Sequence, residues 1–347
     1  QLGGGRVALA QRLICLRGDP QLLDNDFLKY LMQSEGVQEQ LRSRASGTTV
    51  LGIKQSELRK IVLTLPPLGV QSVIAHVLGA LDEKIELNRR MSETLDALAQ
   101  SIFESWFVRF DPVRAKESGE SSGSICGRLG LTPEMLAVFP DRCSDSAVGE
   151  IPAGWDVVPL EELVTYLNRG LSPRYLAKGG VLVLNQKCVR DGRVDVSKGR
   201  RHDPARRKVD SRLLQAGDIL INSTGTGTLG RIGQMLTVGE PTVTDSHVTT
   251  VRADPVKVSW NYLGVDLQAR EAEIEAFGAG STGQTELSRA RLAALPVLLP
   301  PKPLRDYFDE IVLGLRLRAR QNDEQNRTLA AIRDSLLPNL LSGDARI

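Results

Sequence analysis

The sequence predicts an α+β protein in which domains of mixed α/β type are joined by two long antiparallel helices that form a coiled coil. Three observations support this prediction. The chain of 347 residues has room for more than one domain. A long helical segment occurs twice at a constant offset, and short β-rich runs lie between the two copies. The hydrophobic content of 41% is sufficient for buried cores, which argues against disorder throughout the chain.

The repeat has an offset of 234 residues and requires no gap. Leu65–Pro67 matches Leu299–Pro301, and the same offset places Asn88 on Asn322. Each copy continues after Pro-Pro as a segment with apolar residues at alternating steps of three and four, which is the pattern of a coiled coil. We therefore expect long helices at about 71–107 and 304–341.

Each predicted helix carries one asparagine near its middle, on the apolar side. A single buried Asn costs stability in a coiled coil but can fix register. If the helices pack antiparallel about a pseudo-twofold axis, Asn88 is expected opposite Asn322; the alternative is that asparagine is simply tolerated near a surface. The residues expected between the helices or against a partner are Asn88, Asn322, Leu81, Leu95, Leu315 and Leu329.

The remaining patterns divide the chain into five segments. They are 1–67, the end of a first α+β domain; 68–111, the first long helix; 112–150, a linker; 151–301, a second α+β domain; and 302–347, the second long helix. A helix-like stretch at 26–43 looks like the counterpart of the one at 261–277, which assigns residues 1–67 to a domain of the same kind. Glu117–Ser124 has the composition of a mobile loop.

Composition alone excludes several classes of protein. The four cysteines are far apart, without a C-x-x-C pair, and the chain has three histidines, so neither a disulfide framework nor a zinc site is indicated. This cysteine usage fits a reducing cytoplasm. The sequence contains no apolar run of about 18 residues, which is the length that a membrane span needs. The net charge of +2 is too small to identify a nucleic-acid binder.

The charge distribution is more informative than the total. Residues 167–213 contain thirteen Lys or Arg and four Asp, a local net charge of +9. Phosphates are the partner such a segregation favours, because Lys and Arg release counterions on binding, and some Arg can also donate to guanine O6 and N7. The alternative is a solvated surface face.

Two short motifs resemble catalytic signatures without their context. Gly225–Gly230 satisfies G-x-G-x-x-G, but the β-rich, glycine-interrupted sequence after it does not predict the helix that a dinucleotide site needs. We interpret Gly225–Gly230 as a turn whose hydroxyls face a phosphate or a base. A nucleotide-dependent enzyme is the alternative, and it rests on this motif alone. Asp245-Ser246-His247 lacks a nucleophile elbow, so Ser246 and His247 are either DNA contacts or parts of a capped turn.

Several segments in order carry a family resemblance. Ser105–Lys116, Phe139–Asp141, Gly149–Trp155 and Gly217–Leu220 are similar to conserved stretches of the specificity (S) subunits of type I restriction-modification systems. The repeated Leu-Pro-Pro helix unit extends the resemblance over nearly the whole chain. The resemblance implies target-recognition domains separated by helices that act as a ruler.

The sequence departs from the family pattern in two places. The first target-recognition domain is expected to be largely missing from this chain. The glutamine usual after Pro-Pro is present in the first repeat as Gln71 but is replaced by Arg305 in the second.

The resemblance also implies function. A specificity subunit is non-catalytic, binds double-stranded DNA at a bipartite site, and directs two methyltransferase subunits, which methylate adenine, and a restriction subunit. S-adenosylmethionine, Mg and ATP are then expected in those partners, and no cofactor or metal in this chain. The competing hypothesis is an assembly or anti-restriction protein that docks on the methyltransferase without reading DNA. The DNA-binding candidates are Arg169, Arg174, Lys187, Arg200, Arg201, Arg206, Arg207, Lys208, Ser223, Thr224, Thr226, Thr228, Arg231, Ser246, His247, Ser281 and Thr282.

Overall fold

The computed structural model describes residues 13–47, 52–209, 212–279 and 285–342. The chain divides into two compact units, which are described separately below. Unit 1 comprises residues up to Thr94 together with those from Arg318 onward, and unit 2 comprises Leu95–Leu317. The helices of the structure are α1 Asn25–Leu31, α2 Glu35–Arg44, α3 Gln55–Leu58, α4 Leu68–Phe103, α5 Asp111–Glu117, α6 Ser122–Leu129, α7 Pro133–Val138, α8 Trp260–Ala269, α9 Glu271–Glu275, α10 Arg289–Ala293 and α11 Lys302–Ser342.

The strands are short and all belong to unit 2. They are β1 Cys143–Ser146, β2 Gly149–Pro152, β3 Asp156–Pro159, β4 Val164–Arg169, β5 Tyr175–Leu176, β6 Val181–Leu184, β7 Val189–Arg190, β8 Arg193–Val194, β9 Arg200–His202, β10 Ile219–Asn222, β11 Ile232–Gln234, β12 Thr242–Thr244, β13 Val248–Ala253, β14 Gly278–Ala279, β15 Glu286–Leu287 and β16 Pro296–Leu299. The predicted α+β class is therefore confirmed. No helix in the part of the chain that the structure describes has the length and apolarity needed to cross a membrane.

In unit 1, the first part of α4 packs antiparallel against the last part of α11. Asp82 accepts a hydrogen bond from Arg333 at 2.8 Å, and further along the pair the Ser92 hydroxyl donates to the main-chain oxygen of Ala319 at 3.3 Å. Residue numbers thus rise along one helix as they fall along the other. Leu81 in α4 and Leu329 in α11 are half-buried.

The two asparagines of the repeat lie between these helices. Asn88 and Asn322 are 1% and 2% exposed. The Asn322 amide lies 3.5 Å from the main-chain oxygen of Asn88 and donates to Ser92, while the Asn88 amide donates to Gln325 and Asn326. They face each other as the repeat predicts, although each amide bonds to other neighbours rather than to the opposite amide.

A small hydrophobic core packs α1 against α4 in unit 1. Phe27 and Tyr30 of α1 pack against Ile74 and Leu78 of α4. Gln71 is fully buried and ties the segments together: its amide donates to the main-chain oxygens of Leu22 and Pro66, and its oxygen accepts from the Asp24 N–H. This satisfies the whole amide group, as burial requires.

In unit 2, the end of α4 continues as a π-helix, Glu104–Val108, and then turns at Phe110, which adopts a left-handed conformation with φ 57°. The core beside it is aromatic. Phe107 lies 5.1 Å from the rings of both Tyr262 and Phe308 in edge-on arrangements. Such contacts add to the free energy from burial of the rings. Leu315 of α11 packs half-buried against this core, and Leu95 of α4 is half-buried.

The predicted linker at 112–150 is wrong. It contains α5, α6, α7 and the β1–β2 hairpin, and its side chains Val113, Ile125 and Leu136 are buried in the aromatic core. The Glu117–Ser124 stretch is a helical corner: Ser121 accepts a hydrogen bond from the N–H of Ser124 as an N-cap. Ser and Gly here supply a cap and a turn, and Ile125, just after the stretch, anchors the new helix.

Two four-stranded sheets form the body of unit 2. The first has the order β11-β10-β13-β4 and is antiparallel throughout. The second has the order β12-β6-β9-β5, with β12 and β6 parallel and the other pairs antiparallel. Leu184 from the second sheet and Leu220 from the first belong to one buried cluster. The helix predicted at 261–277 forms as α8 and α9, which meet at Arg270.

Candidate nucleic-acid interface

Several strand ends from both sheets meet at one side of unit 2. In the first sheet, β10 ends at Asn222 beside the start of β13 at Val248, and β4 ends at Arg169 beside Thr249. In the second sheet, β6 and β12 end together at Leu184 and Thr244. The connecting segments 185–188, 223–230 and 245–247, with β15 at 286–287, therefore share this side; we call them the loop edge.

A hydrogen-bond network joins three segments of the loop edge. The Thr224 hydroxyl lies 2.8 Å from Nδ1 of His247 and 3.3 Å from Oε1 of Gln186. The N–H of Ser223 donates to the main-chain oxygen of His247 at 2.8 Å. His247 is exposed, so the bond to Thr224 holds its ring in position at the surface.

The glycine motif forms a turn of the loop edge. Gly225 has φ +101°, and a Cβ there would lie 2.4 Å from the Thr228 hydroxyl. That hydroxyl donates to the main-chain oxygens of Thr224 and Gly225 inside the turn, whereas Thr226 is exposed. The chain then enters β11 rather than a helix, so no helix N-terminus is available for a pyrophosphate.

The Asp245-Ser246-His247 segment is a turn without the geometry of a hydrolase. Asp245 is 4% exposed and accepts a hydrogen bond from the main-chain N–H of His247 at 2.9 Å, not from its ring. Burial raises the pKa of the Asp245 carboxyl, and the N–H from His247 only partly offsets that rise. Ser246 is half-buried at the middle of the turn.

Ser223 requires a correction as a DNA contact. The residue is fully buried, and its hydroxyl lies 2.5 Å from the Thr249 hydroxyl and donates to the main-chain oxygen of Ile221. The side chain of Ser223 points between β10 and β13 because side chains alternate across a strand and the next residue, Thr224, takes the outward position.

The basic residues fall into two groups. One group is held by acidic side chains: Arg169 by Glu286 at 3.0 Å, Arg201 by Glu240 at 2.5 Å, and Arg206 by Asp203 at 3.5 Å. The second group consists of exposed residues that form no ion pair with an acidic side chain in the described part of the chain. Its members among the candidates are Arg174, Lys187, Arg200, Arg207 and Lys208.

His202 connects members of the second group and was not predicted. It is fully buried on β9; the N–H of Arg174 donates to its Nδ1 at 2.9 Å, and its Nε2 lies 2.8 Å from the main-chain oxygen of Arg207. Nδ1 also lies 3.2 Å from the main-chain oxygen of Arg174, so the buried ring connects the main chains at Arg174 and Arg207. The signal in the sequence was a histidine within a run of basic residues in a chain with few histidines.

Gln186 and Tyr175 are two further residues that the sequence analysis missed. The Gln186 main-chain oxygen accepts from the Asn222 amide at 3.1 Å, and its side chain reaches Thr224. The Arg200 guanidinium lies over the Tyr175 ring in a cation–π contact. Neither residue belongs to a sequence motif, so only the pairing of distant strands reveals them.

The remaining candidates are placed as follows. Arg231 is half-buried beside the loop edge, where its main-chain oxygen accepts from the Asn222 N–H at 2.9 Å. Ser281 and Thr282 lie outside the described residues. No group of three His, Cys, Asp or Glu side chains within the described ranges is arranged to hold a metal ion. The loop edge thus offers hydroxyls, an imidazole and cations for binding.

Comparisons show which known proteins this chain is similar to. The sequence model of the family described as "Type I restriction modification DNA specificity domain" matches residues 2–97. The chain is 24% identical to the type I restriction enzyme HindI specificity subunit of Haemophilus influenzae, over 92% of this chain and 77% of that protein. It is 22% identical to the MjaIX specificity subunit of Methanocaldococcus jannaschii, over 93% of this chain and 69% of that protein.

A solved structure shares the fold. The type I restriction-modification S subunit from M. genitalium superposes with a TM-score of 0.56 at 18% identity, covering 93% of this chain and 74% of that one. The shared fold consists of long helices and a mixed α/β domain. Over most of its length the chain is similar to the specificity subunits of type I restriction-modification systems.

Proposed function

We propose that this chain is the non-catalytic subunit that reads DNA in a type I restriction-modification complex. In this proposal it directs methyltransferase subunits, which methylate adenine, and a restriction subunit to a bipartite DNA site. The observation that carries the proposal is the loop edge, where Thr224, His247 and Gln186 form one network and Thr226 projects from the glycine turn.

The chemistry of this edge suits DNA. Hydroxyls, amides and an imidazole can donate to and accept from base edges, while cations bind phosphates and fix the orientation of the duplex. The exposed cations without acidic partners, such as Lys187 and Lys208, are available to phosphates without first breaking an ion pair. We assign the phosphate contacts chiefly to that group.

Unit 1 supports the second part of the proposal, which is docking of the methyltransferase. Val70, Val73 and Leu87 of α4 are 42%, 42% and 54% exposed, and their spacing places them on one side of the helix. A groove of about 950 Å³ beside α1 is lined by acidic residues that include Asp82 and Glu86. An exposed apolar stripe suits a protein partner, and the excess of acidic over basic residues in the groove disfavours phosphates.

The catalytic chemistry belongs to the partners in this proposal. S-adenosylmethionine, Mg and ATP would be bound by the methyltransferase and restriction subunits, and the complex would act on DNA in the cytoplasm. The residues of this chain bind the duplex, hold its register and position the target adenine for the partner. None of these roles requires a nucleophile or a proton transfer.

The test is DNA binding by this chain mixed with its cognate methyltransferase subunit, titrated with salt and competed with random duplex. We expect salt-sensitive binding that one particular sequence competes for far better than random DNA. A stable protein complex without sequence preference would instead favour the assembly or anti-restriction hypothesis.

A matched pair of variants sharpens this measurement. Arg207→Ala with Lys208→Ala removes two exposed cations of unit 2, and the logarithmic salt slope is expected to fall by about 0.9 for each phosphate that is no longer neutralised. Arg42→Ala with Lys60→Ala removes the same charge from unit 1, where both residues pair with glutamates, and should leave the slope unchanged. Equal effects of the two pairs would contradict the assignment of phosphate binding to unit 2.

A further inference from the structure

One arginine of the basic region is held differently from the others. The guanidinium carbon of Arg200, on β9, lies 3.3 Å from the centroid of the Tyr175 ring, on β5. Both side chains are exposed; that of Tyr175 is 41% exposed. The pairing of β5 with β9 brings them together, with Tyr175 opposite His202.

The ring of Tyr175, and not an acidic side chain, holds Arg200 in place. The next residue, Arg201, donates two hydrogen bonds to Glu240, and Arg169 is occupied by Glu286. Arg200 forms no ion pair with an acidic residue that the structure describes. The N–H groups of a guanidinium lie in its own plane, so a guanidinium held over a ring by its face can still donate to a flat partner beside it.

The stack also removes much of the freedom of a long side chain before any ligand binds. A free arginine has about 2 kcal/mol of rotamer entropy to lose. A phosphate contact gains little from a fixed direction, because a flexible cation can follow the backbone. Reading a base requires two parallel N–H groups in a set register. The held, planar arrangement of Arg200 therefore matches a base edge better than a phosphate.

The stack adjoins the loop edge. Arg200 begins β9 opposite Val183 of β6, one residue before β6 ends at the loop edge. There the main-chain oxygen of Leu184 accepts from the N–H of Asp245 at 2.9 Å. Asp245 begins the turn that carries His247 to the network with Thr224. Arg200 is thus placed beside the residues that the proposed function assigns to DNA.

We propose, resting on the DNA-reading function above, that Arg200 is a base-reading residue that donates two hydrogen bonds to O6 and N7 of a guanine, with Tyr175 as its platform. Arg200 and Tyr175 then form a guanine-specific site in the major groove. Arg201, one residue further along β9, stays with Glu240 and takes no part in reading that base.

The experiment measures binding by the complex of this chain with its methyltransferase subunit to the recognised duplex and to duplexes in which each base pair is changed in turn. Arg200→Lys keeps the charge but loses the planar fork. It is expected to reduce discrimination at a single G·C pair by about 10- to 100-fold, with an unchanged salt slope. Arg190→Lys, at an exposed arginine paired with Asp191, is the matched control and should preserve both.

The platform has its own pair of variants. Tyr175→Phe retains the ring and should retain discrimination, whereas Tyr175→Ala should lose discrimination at the same base pair as Arg200→Lys. A loss of affinity in Arg200→Lys that is equal for all duplexes would overturn the proposal in favour of a phosphate contact. Unchanged discrimination would overturn it in favour of a purely structural stack.

The same measurements distinguish a failure of the proposed DNA-reading function from a failure of the Arg200 assignment. If the unaltered complex shows no sequence preference, the proposed DNA-reading function fails before any variant is compared. If the unaltered complex discriminates and Arg200→Lys discriminates equally well, only the assignment of Arg200 fails.

Discussion

The Asp218–Arg252 ion pair should be the most sensitive charged contact in unit 2. Asp218, just before β10, is fully buried, and its two carboxylate oxygens accept from Nε and Nη2 of Arg252 on β13, each at 2.7 Å. The N–H of Gln215 donates a third hydrogen bond at 2.8 Å. The carboxylate raises the pKa of Arg252, mainly through the hydrogen bonds. Replacement of either partner tests the pair.

Arg252→Met leaves the buried Asp218 carboxylate with only the Gln215 N–H. Removal of one partner from a buried pair costs about 3–5 kcal/mol of unfolding free energy, because the remaining charge is desolvated and uncompensated. Asp218→Asn should cost less, about 1–2 kcal/mol, because the Arg252 side chain is 19% exposed and can reach water. The structure thus predicts an asymmetry as well as a magnitude.

Urea unfolding followed by tryptophan fluorescence measures these effects in unit 2 specifically. The three tryptophans of the chain, Trp106, Trp155 and Trp260, all belong to that unit. With a denaturant slope of about 2 kcal/mol per molar, a loss of about 4 kcal/mol lowers the midpoint by about 2 M. Arg252→Met combined with Asp218→Leu removes both charges and should recover most of the stability.

The reasoning would be refuted by the opposite order. If Asp218→Asn destabilised unit 2 more than Arg252→Met, burial of the carboxylate would not be the dominant cost. Failure of the double variant to recover would mean that the packing of Arg252, rather than its charge, carries the stability.

Two further predictions concern a buried acid and a turn. Burial raises the pKa of Asp266 to about 6, so the protonated carboxyl stabilises unit 2 fully below about pH 4, and this stability is lost as pH rises through 6. Asp266→Asn should stabilise unit 2 at pH 8 by about 3 kcal/mol and should remove most of the decrease in unfolding free energy between pH 4 and 8. Urea midpoints from pH 4 to 8 measure this, and parallel profiles would contradict it. Gly225→Ala, whose Cβ meets Thr228 at 2.4 Å, should weaken specific DNA binding, whereas Gly227→Ala, with φ +72° and open space, should weaken it much less in the same assay. Equal losses would mean that backbone strain alone governs the turn.

The sequence alone was sufficient for the features that depend on local or repeated patterns. The repeat at an offset of 234 residues placed two long helices and brought Asn88 and Asn322 face to face, because a heptad pattern determines which side of a helix is buried. The β-rich runs at 181–184 and 248–252 form β6 and β13. Glycine spacing correctly indicated a turn at 225–230, since the sequence after it lacks the pattern of a helix.

Tertiary packing decided the rest. Glu117–Ser124 has the composition of a loop, but the aromatic core buries Ile125 next to it and stabilises a helix there. Ser223 looked like one of several equivalent hydroxyls until strand pairing turned it inward against Thr249. The distinction between free and occupied arginines likewise depends on which acid or ring a distant strand supplies. Composition determined that this region is basic, but only the pairing of β5 with β9 left Arg200 stacked and available, because sequence neighbours do not determine contacts between strands.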